Sequence, residues 1–280
     1  MIAPPFPQPP VRGAATGCGI AGHATCAARL SGIAALRDGG IPPGAPALPG
    51  RFLRHCDEQT VVGMHAMLRA IAALPAPVDL AADAIVAAPC QAGRLMAAKS
   101  LCLLKTGGAV TVSTHIVPQA SLHSIAGAVS VALGMHGPHM GVGGGADALA
   151  EGCLAAATLV GSAGLPRVWL VATEWDEEPI LDEAGDPASD PLCRAVALAI
   201  EPGGAGELGL EVHFSATPTA AVEPTRLATF ARALDACGPE GVLAAWTLNA
   251  PGGAEVRIAR GRSRSHAIPG LAAERRREAA

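Results

Sequence analysis

The stretch GPHMGVGGGADALAEG, residues 137–152, decides how this chain is read. His139–Gly143 has the look of a short apolar strand, and Gly143–Gly145 supply a sharp turn. From Asp147 to Ala163 the spacing predicts a helix whose apolar stripe is Leu149, Cys153, Ala156 and Val160. A side chain at the top of such a strand-to-helix turn is exposed and faces the unsatisfied N–H groups of the first helical turn. A cysteine placed there has its thiolate stabilised by the helix dipole. The residue that stands there is Ala146, which has no nucleophile, no proton and no hydrogen bond to give. The glycines with Asp147 are read as a capped helix start in close packing, because the Asp147 carboxylate takes the position an anion would need.

On either side of this elbow, strand and helix alternate. AATGCGIAG (14–22) reads as a buried strand, and CAARLSGIAALRDGG as a helix that stops at Gly39–Gly40. Residues 56–74 carry apolar side chains at Val61, Met64, Leu68 and Ile71, with Asp57 and Glu58 favouring the helix start. DAIVAA (83–88) is a buried strand, 93–104 a helix, and Ser121 a cap for the helix LHSIAGAVSVALG that ends at Gly134. RVWLVAT (167–173) is a buried strand, the acidic EWDEEP after it a solvated loop, and 194–200 with 207–214 a hairpin around EPGGAG. Farther on, a helix with the stripe Leu227, Phe230, Leu234 and Cys237 precedes a second hairpin, VLAAWTL and EVRIAR. The order of elements predicts an α/β layered sheet.

Composition narrows the function classes. The chain has 280 residues, a net charge of −4, no tyrosine and few other aromatics. It therefore offers neither the basic surface nor the stacking platforms of a nucleic-acid binder. Eight cysteines are scattered singly, without a CxxC pair, and are read as reduced thiols of a cytoplasmic protein. The proline-rich start is no signal peptide, and the most apolar segments are broken by charges and glycines, so no membrane span is expected. Four segments result: a flexible arm, 1–11; a main domain, 12–215; a helix-plus-hairpin extension, 216–262; and a basic tail, 263–280, read as disordered.

The run from His115 to Pro179, with GCGIAG, LSGIAALRDG and RFLRHCDEQTVVGMHAMLRAI upstream, resembles the β-ketoacyl synthases of the thiolase superfamily. It is most similar to their N-terminal half. The features that carry the likeness are the Pro118–Ser121 loop, Gly127 in the following helix, the Gly137–Pro138 step, the alanine-rich helix after the elbow and the strand RVWLVATEW. The resemblance implies a thiolase-like half, βαβαβαββ, with a mixed sheet. It puts the family's nucleophilic cysteine on Ala146, and the family's C-terminal half with its histidine motifs is not recognisable. The chain thus resembles a chain-length factor, a nucleophile-less relative that binds a catalytic ketosynthase, of the short kind found in aryl-polyene-type pathways.

By that resemblance Gly137, Pro138, Met140 and Val142 belong to an interface across a two-fold axis. His115, Ser121 and His123 face an acyl pocket, and Val129 or Met135 limits acyl length. The expected partner is a ketosynthase, with an acyl carrier protein as a further one through the tail arginines Arg262, Arg264, Arg275, Arg276 and Arg277. No cofactor or metal is expected; His123, His136 and His139 lack a carboxylate or cysteine at a recognised spacing. Two rival readings remain. One is an acyl-thioester hydrolase or transferase using Cys153 or a histidine, and the other is a homodimeric acyl-binding scaffold.

Overall fold

Every residue of the strand VWLVATEW, β4 (Val168–Trp175), is buried, and its alternate side chains enter two different cores. Val168, Leu170 and Ala172 point into one, Trp169 and Val171 into the other. A continuous apolar run is what a strand covered by helices on both faces requires. The computed structural model describes residues 16–75, 77–162, 164–203, 208–214, 223–238, 241–250 and 253–260. The arm 1–11 and the tail 263–280 lie outside the described residues.

Around β4 an eight-stranded mixed sheet runs in the order β3-β2-β4-β5-β1-β6-β8-β7. Its strands are β1 (Thr16–Arg29), β2 (Ala84–Pro89), β3 (His139–Gly141), β5 (Leu192–Pro202), β6 (Leu208–Phe214), β7 (Ala245–Ala250) and β8 (Ala254–Arg260). β3, β2 and β4 are parallel, and every other pairing is antiparallel. On one face lie α1 (Leu30–Asp38), α2 (Glu58–Ala72) and α5 (Ser124–Leu133); on the other lie α6 (Ala148–Ser162) and α7 (Leu227–Cys237). The α/β layered architecture is therefore the one observed. The chain's alanines explain how tightly it is built. β5 turns Val196, Leu198 and Ile200 toward α6 and α7 but Ala195, Ala197 and Ala199 toward α2. Small side chains on that face let α2 approach the sheet closely, and nearly all of α2 is buried.

Three local readings are corrected. The helix expected from Cys26 starts only at Leu30, because HATCAAR continues β1 and pairs with β5 from His23↔Leu198 to Arg29↔Leu192. Strand pairing outweighs the helix propensity of the alanines here. β5 and β6 form no hairpin, since β1 lies between them and pairs antiparallel with both. Ser121 caps α5 with its carbonyl, which accepts from the Ser124 N–H (3.1 Å) and hydroxyl (2.7 Å), and not with its side chain.

The described residues from 223 onward are woven into the same sheet and its helices. β8 pairs with β6 from Leu208↔Arg260 to Phe214↔Ala254, and the α7 stripe joins the core beneath α6. Glu174, at the end of β4, accepts the Leu227 N–H at the start of α7 and pairs with Arg226. It is buried, so only part of EWDEEP is the solvated loop expected. Burial pushes its carboxyl up, while the Leu227 N–H and Arg226 hold it back.

Candidate functional site

The carboxyl ends of the three parallel strands meet at one end of the sheet, where α/β proteins commonly place their sites. There the chain leaving β3 keeps following β2: Val142 N–H donates to Ala87 O (2.8 Å) and Gly144 N–H to Pro89 O (3.0 Å). Gly143 and Gly144 then turn it with φ of +91° and +94°. A Cβ on Gly143 would lie 2.6 Å from the Ala148 Cβ, so side chains are excluded there on two grounds. Ala146 follows, exposed, two residues before α6. The elbow expected from the sequence is formed, and what it presents is a methyl group. Asp147 and Glu151 flank the helix start with carboxylates that compensate its dipole and discourage an anion.

A recess of about 430 Å³ opens beside the elbow, lined by Gln91, Ala92, Arg94, Ser121, Leu122 and Gly144. Arg94 is paired with Glu178, which also accepts from Gln91 Nε2 at 3.3 Å. Of these lining residues the sequence pointed to Ser121 and to Gly144 of the glycine turn. Gln91, Arg94 and Leu122 carry no motif and converge only through the fold.

No activated thiol stands in for the missing one. Cys153, on the α6 stripe, is completely buried, and burial pushes its thiol up to about 12. Cys18 is pushed equally far, to about 12. Cys90 follows Pro89 next to the elbow, but burial and the Glu174 carboxylate raise its thiol against the pull of Arg226. A thiol so raised is protonated at neutral pH and a poor nucleophile. All eight cysteines are free. Alkylation of the native chain is expected to reach only the partly exposed Cys56, Cys90 and Cys102, and to be slow at the first two because burial raises their thiols. Cys18, Cys26, Cys153, Cys193 and Cys237 should react after denaturation, as peptide mass spectrometry would read. Rapid native labelling of Cys153 would contradict its burial.

The other predicted site residues divide between core and surface. Val129 is wholly buried on the inner face of α5 and offers nothing to the recesses described here. Met135 is buried as well, but it also lines a second recess, of about 690 Å³, together with Val131, His136, Gly137, Pro138 and His139. Val131, missed by the periodicity because it sits off the buried stripe, is 72% exposed there. Gly137 meets the backbone of Asp83, where a Cβ would come within 2.3 Å of the carbonyl oxygen. Met140 and Val142 are half-buried against the α6 side of the core. At Gly127 a Cβ would meet only the His123 ring at 3.5 Å, so close packing within this chain does not require glycine there. His115 is exposed at the start of α4 (Ile116–Ala120).

His123 and His139, sixteen residues apart, come together. His139 Nδ1 lies 3.0 Å from His123 Nε2, with ring centroids 4.9 Å apart. Partial burial, then the neighbouring imidazole, lower the His123 pKa. Among the described residues no group of three or more ligating side chains is gathered for a metal, and no helix is long and apolar enough to cross a membrane.

β3 forms one edge of the sheet and β7 the other. Ile85 N–H donates to Pro138 O and Val142 N–H to Ala87 O, so the ladder with β2 uses the even-numbered residues of this segment. The N–H and C=O of His139 and Gly141 consequently face the free edge.

No protein-family model matches this chain, and no curated protein does. Solved structures do. A ketosynthase (ApeO) in complex with its chain length factor (ApeC) from Xenorhabdus doucetiae matches with a TM-score of 0.51 at 18% identity, over 87% of this chain and 99% of that one. The ishigamide ketosynthase/chain length factor matches with a TM-score of 0.50 at 16% identity, over 88% of this chain and 99% of the other. AntDE:AntF, a type II polyketide synthase acyl-carrier protein in complex with its ketosynthase, matches with a TM-score of 0.51 at 14% identity, over 71% and 69% of the two chains. The chain shares the thiolase-type fold of these ketosynthase assemblies.

Proposed function

We propose that this chain is a non-catalytic, ketosynthase-like subunit of the chain-length-factor type. It would complete the dimer and acyl tunnel of a cysteine-bearing ketosynthase during polyketide, aryl-polyene or fatty-acid assembly. The observation that carries the reading is Ala146, exposed at a fully built elbow and backed by no activated thiol. In such a pair the acyl chain rides on the partner's cysteine, delivered by an acyl carrier protein, and carbon–carbon bond formation happens there. This subunit supplies apolar wall. Each methylene it shelters is worth about 0.8 kcal/mol, enough for wall position to bias chain length. The rival hydrolase using Cys153 is disfavoured by that residue's burial.

The free edge of β3 is the surface we assign to the partner, by strand addition. Co-expression with a cysteine-bearing ketosynthase from the same genome is expected to yield a one-to-one complex. The isolated chain, incubated with acyl thioesters, should gain no mass. Because His139 N–H points to the free edge, His139→Pro removes a donor there while sparing the β2 ladder, and is expected to abolish co-purification with the circular dichroism spectrum retained. A covalent acyl adduct on the isolated chain, or a stable homodimer indifferent to every ketosynthase, would defeat the proposal.

A further inference from the structure

The geometry points to a second site, borne by this chain's own side chains beside the β3 edge: His123 and His139 form a two-histidine chelate for a borderline divalent cation of the Ni²⁺ or Cu²⁺ kind. Sequence spacing gave no reason to join them, since one precedes α5 and the other opens β3. The fold brings Nε2 of His123 to 3.0 Å from Nδ1 of His139. Metal–imidazole bonds are about 2.0–2.1 Å long, so two donors at that separation subtend roughly 90–95° at a shared cation. That is the cis angle of square-planar and octahedral complexes. A tetrahedral site would hold its donors about 3.3 Å apart, so the spacing favours Ni²⁺ and Cu²⁺ over Zn²⁺.

Three further features suit a chelate. Both residues are exposed, which leaves the remaining coordination positions open to water. Both are held on regular backbone: His123 O accepts the Gly127 N–H of α5 at 2.9 Å, and His139 pairs with Ile85 in the sheet. The side chain of His123, at the N-cap position of α5, makes no capping hydrogen bond, so binding a cation does not unmake a helix start. Proton balance is simple. In the free pair one imidazole proton lies between the facing nitrogens; in the chelate that ring carries it on its outward nitrogen, and no proton need leave a neutral pair.

The test uses the full chain, purified without a polyhistidine tag and stripped with a chelator. Titration with nickel sulfate in a calorimeter is expected to show one high-affinity Ni²⁺ per chain. His123→Gln and His139→Gln, both at exposed positions, should each weaken that binding by roughly tenfold or more. His136→Gln, exposed on the adjoining recess, should leave it unchanged. With one equivalent of Cu²⁺, electron paramagnetic resonance should show hyperfine structure from two equatorial nitrogens. Unaltered nickel binding in both glutamine variants overturns the site. Tighter binding of Zn²⁺ than of Ni²⁺ overturns the geometric assignment.

Discussion

Replacing Arg167 by methionine is expected to lower the unfolding free energy by about 3–5 kcal/mol, the range for breaking one side of a buried ion pair. Arg167 sits where β2, β4 and β5 come together at the end of the sheet opposite the elbow. Its guanidinium donates to Asp83 Oδ2 (2.9 Å) and twice to Glu201 Oε1 (2.9 and 2.7 Å), and it lies over the Trp169 ring at 5.7 Å. Asp83 is 1% exposed and receives Trp169 Nε1–H at 2.8 Å. Burial pushes its carboxyl up, and Trp169 and Arg167 are what hold it back. Without the guanidinium, Asp83 keeps a buried charge with a single donor or takes up a proton to lose it. Either costs stability. Asp83→Asn added to Arg167→Met should recover much of the loss, because the amide oxygen still accepts from Trp169 and no charge remains. Urea denaturation of the four proteins measures this coupling. A loss below about 1 kcal/mol in the single variant would show that the triad is compensated elsewhere.

Gly137 ties that buried triad to the edge strand, since it rests against the Asp83 backbone. The same segment therefore serves both stability and the proposed interface, and an unfolded Arg167 variant should also fail to bind a ketosynthase. His139→Pro separates the two roles, because it acts at the free edge and leaves the Gly137 contact with Asp83 in place.

What could be read from the sequence depended on how local its cause was. The elbow was legible because glycines at positive φ and an apolar stripe at helical spacing are written within twenty residues. The stripes of α6 and α7 were legible for the same reason: Leu149, Cys153, Ala156 and Val160, like Leu227, Phe230, Leu234 and Cys237, all face one core. Interactions that span the chain were not legible. Glu174 looked like one acid among several, because its partners Arg226 and Leu227 lie some fifty residues away. The turn signal EPGGAG reads as a hairpin, because nothing in 192–214 states that β1 lies between the two strands. The facing of His123 and His139 needed the register of β3 on β2 before it had any meaning.

The second large effect is a pH dependence set by Asp57. This residue caps α2, accepting the Thr60 N–H on Oδ1 (2.9 Å), and its Oδ2 accepts the Gly93 N–H just before α3 (Arg94–Gly107) at 3.2 Å. It is 3% exposed. Burial, reinforced by Glu58, raises its carboxyl from an ordinary 3.8 to about 6, against the two backbone donors. A raised folded-state pKa means that the native state binds this proton more tightly than the unfolded chain does. The associated stability is fully present below about pH 4 and is lost as pH rises through about 6. The difference between the limits is about 3 kcal/mol. Asp57→Asn has no proton to take up there, so its unfolding free energy should lack this contribution. Subtracting the variant's pH profile from that of the parent chain removes the titrations they share, including those of the buried Asp83 and Glu174. The difference should favour the parent increasingly as pH falls from 7 to 4. The absolute offset at pH 7 combines relief of a buried charge with a poorer acceptor for Gly93 N–H, so the slope between pH 4 and 6.5 is the decisive quantity. A flat difference would mean that Asp57 ionises as freely in the folded chain as in the unfolded one. Its place in the cap would then need a compensating cation that the present geometry does not supply.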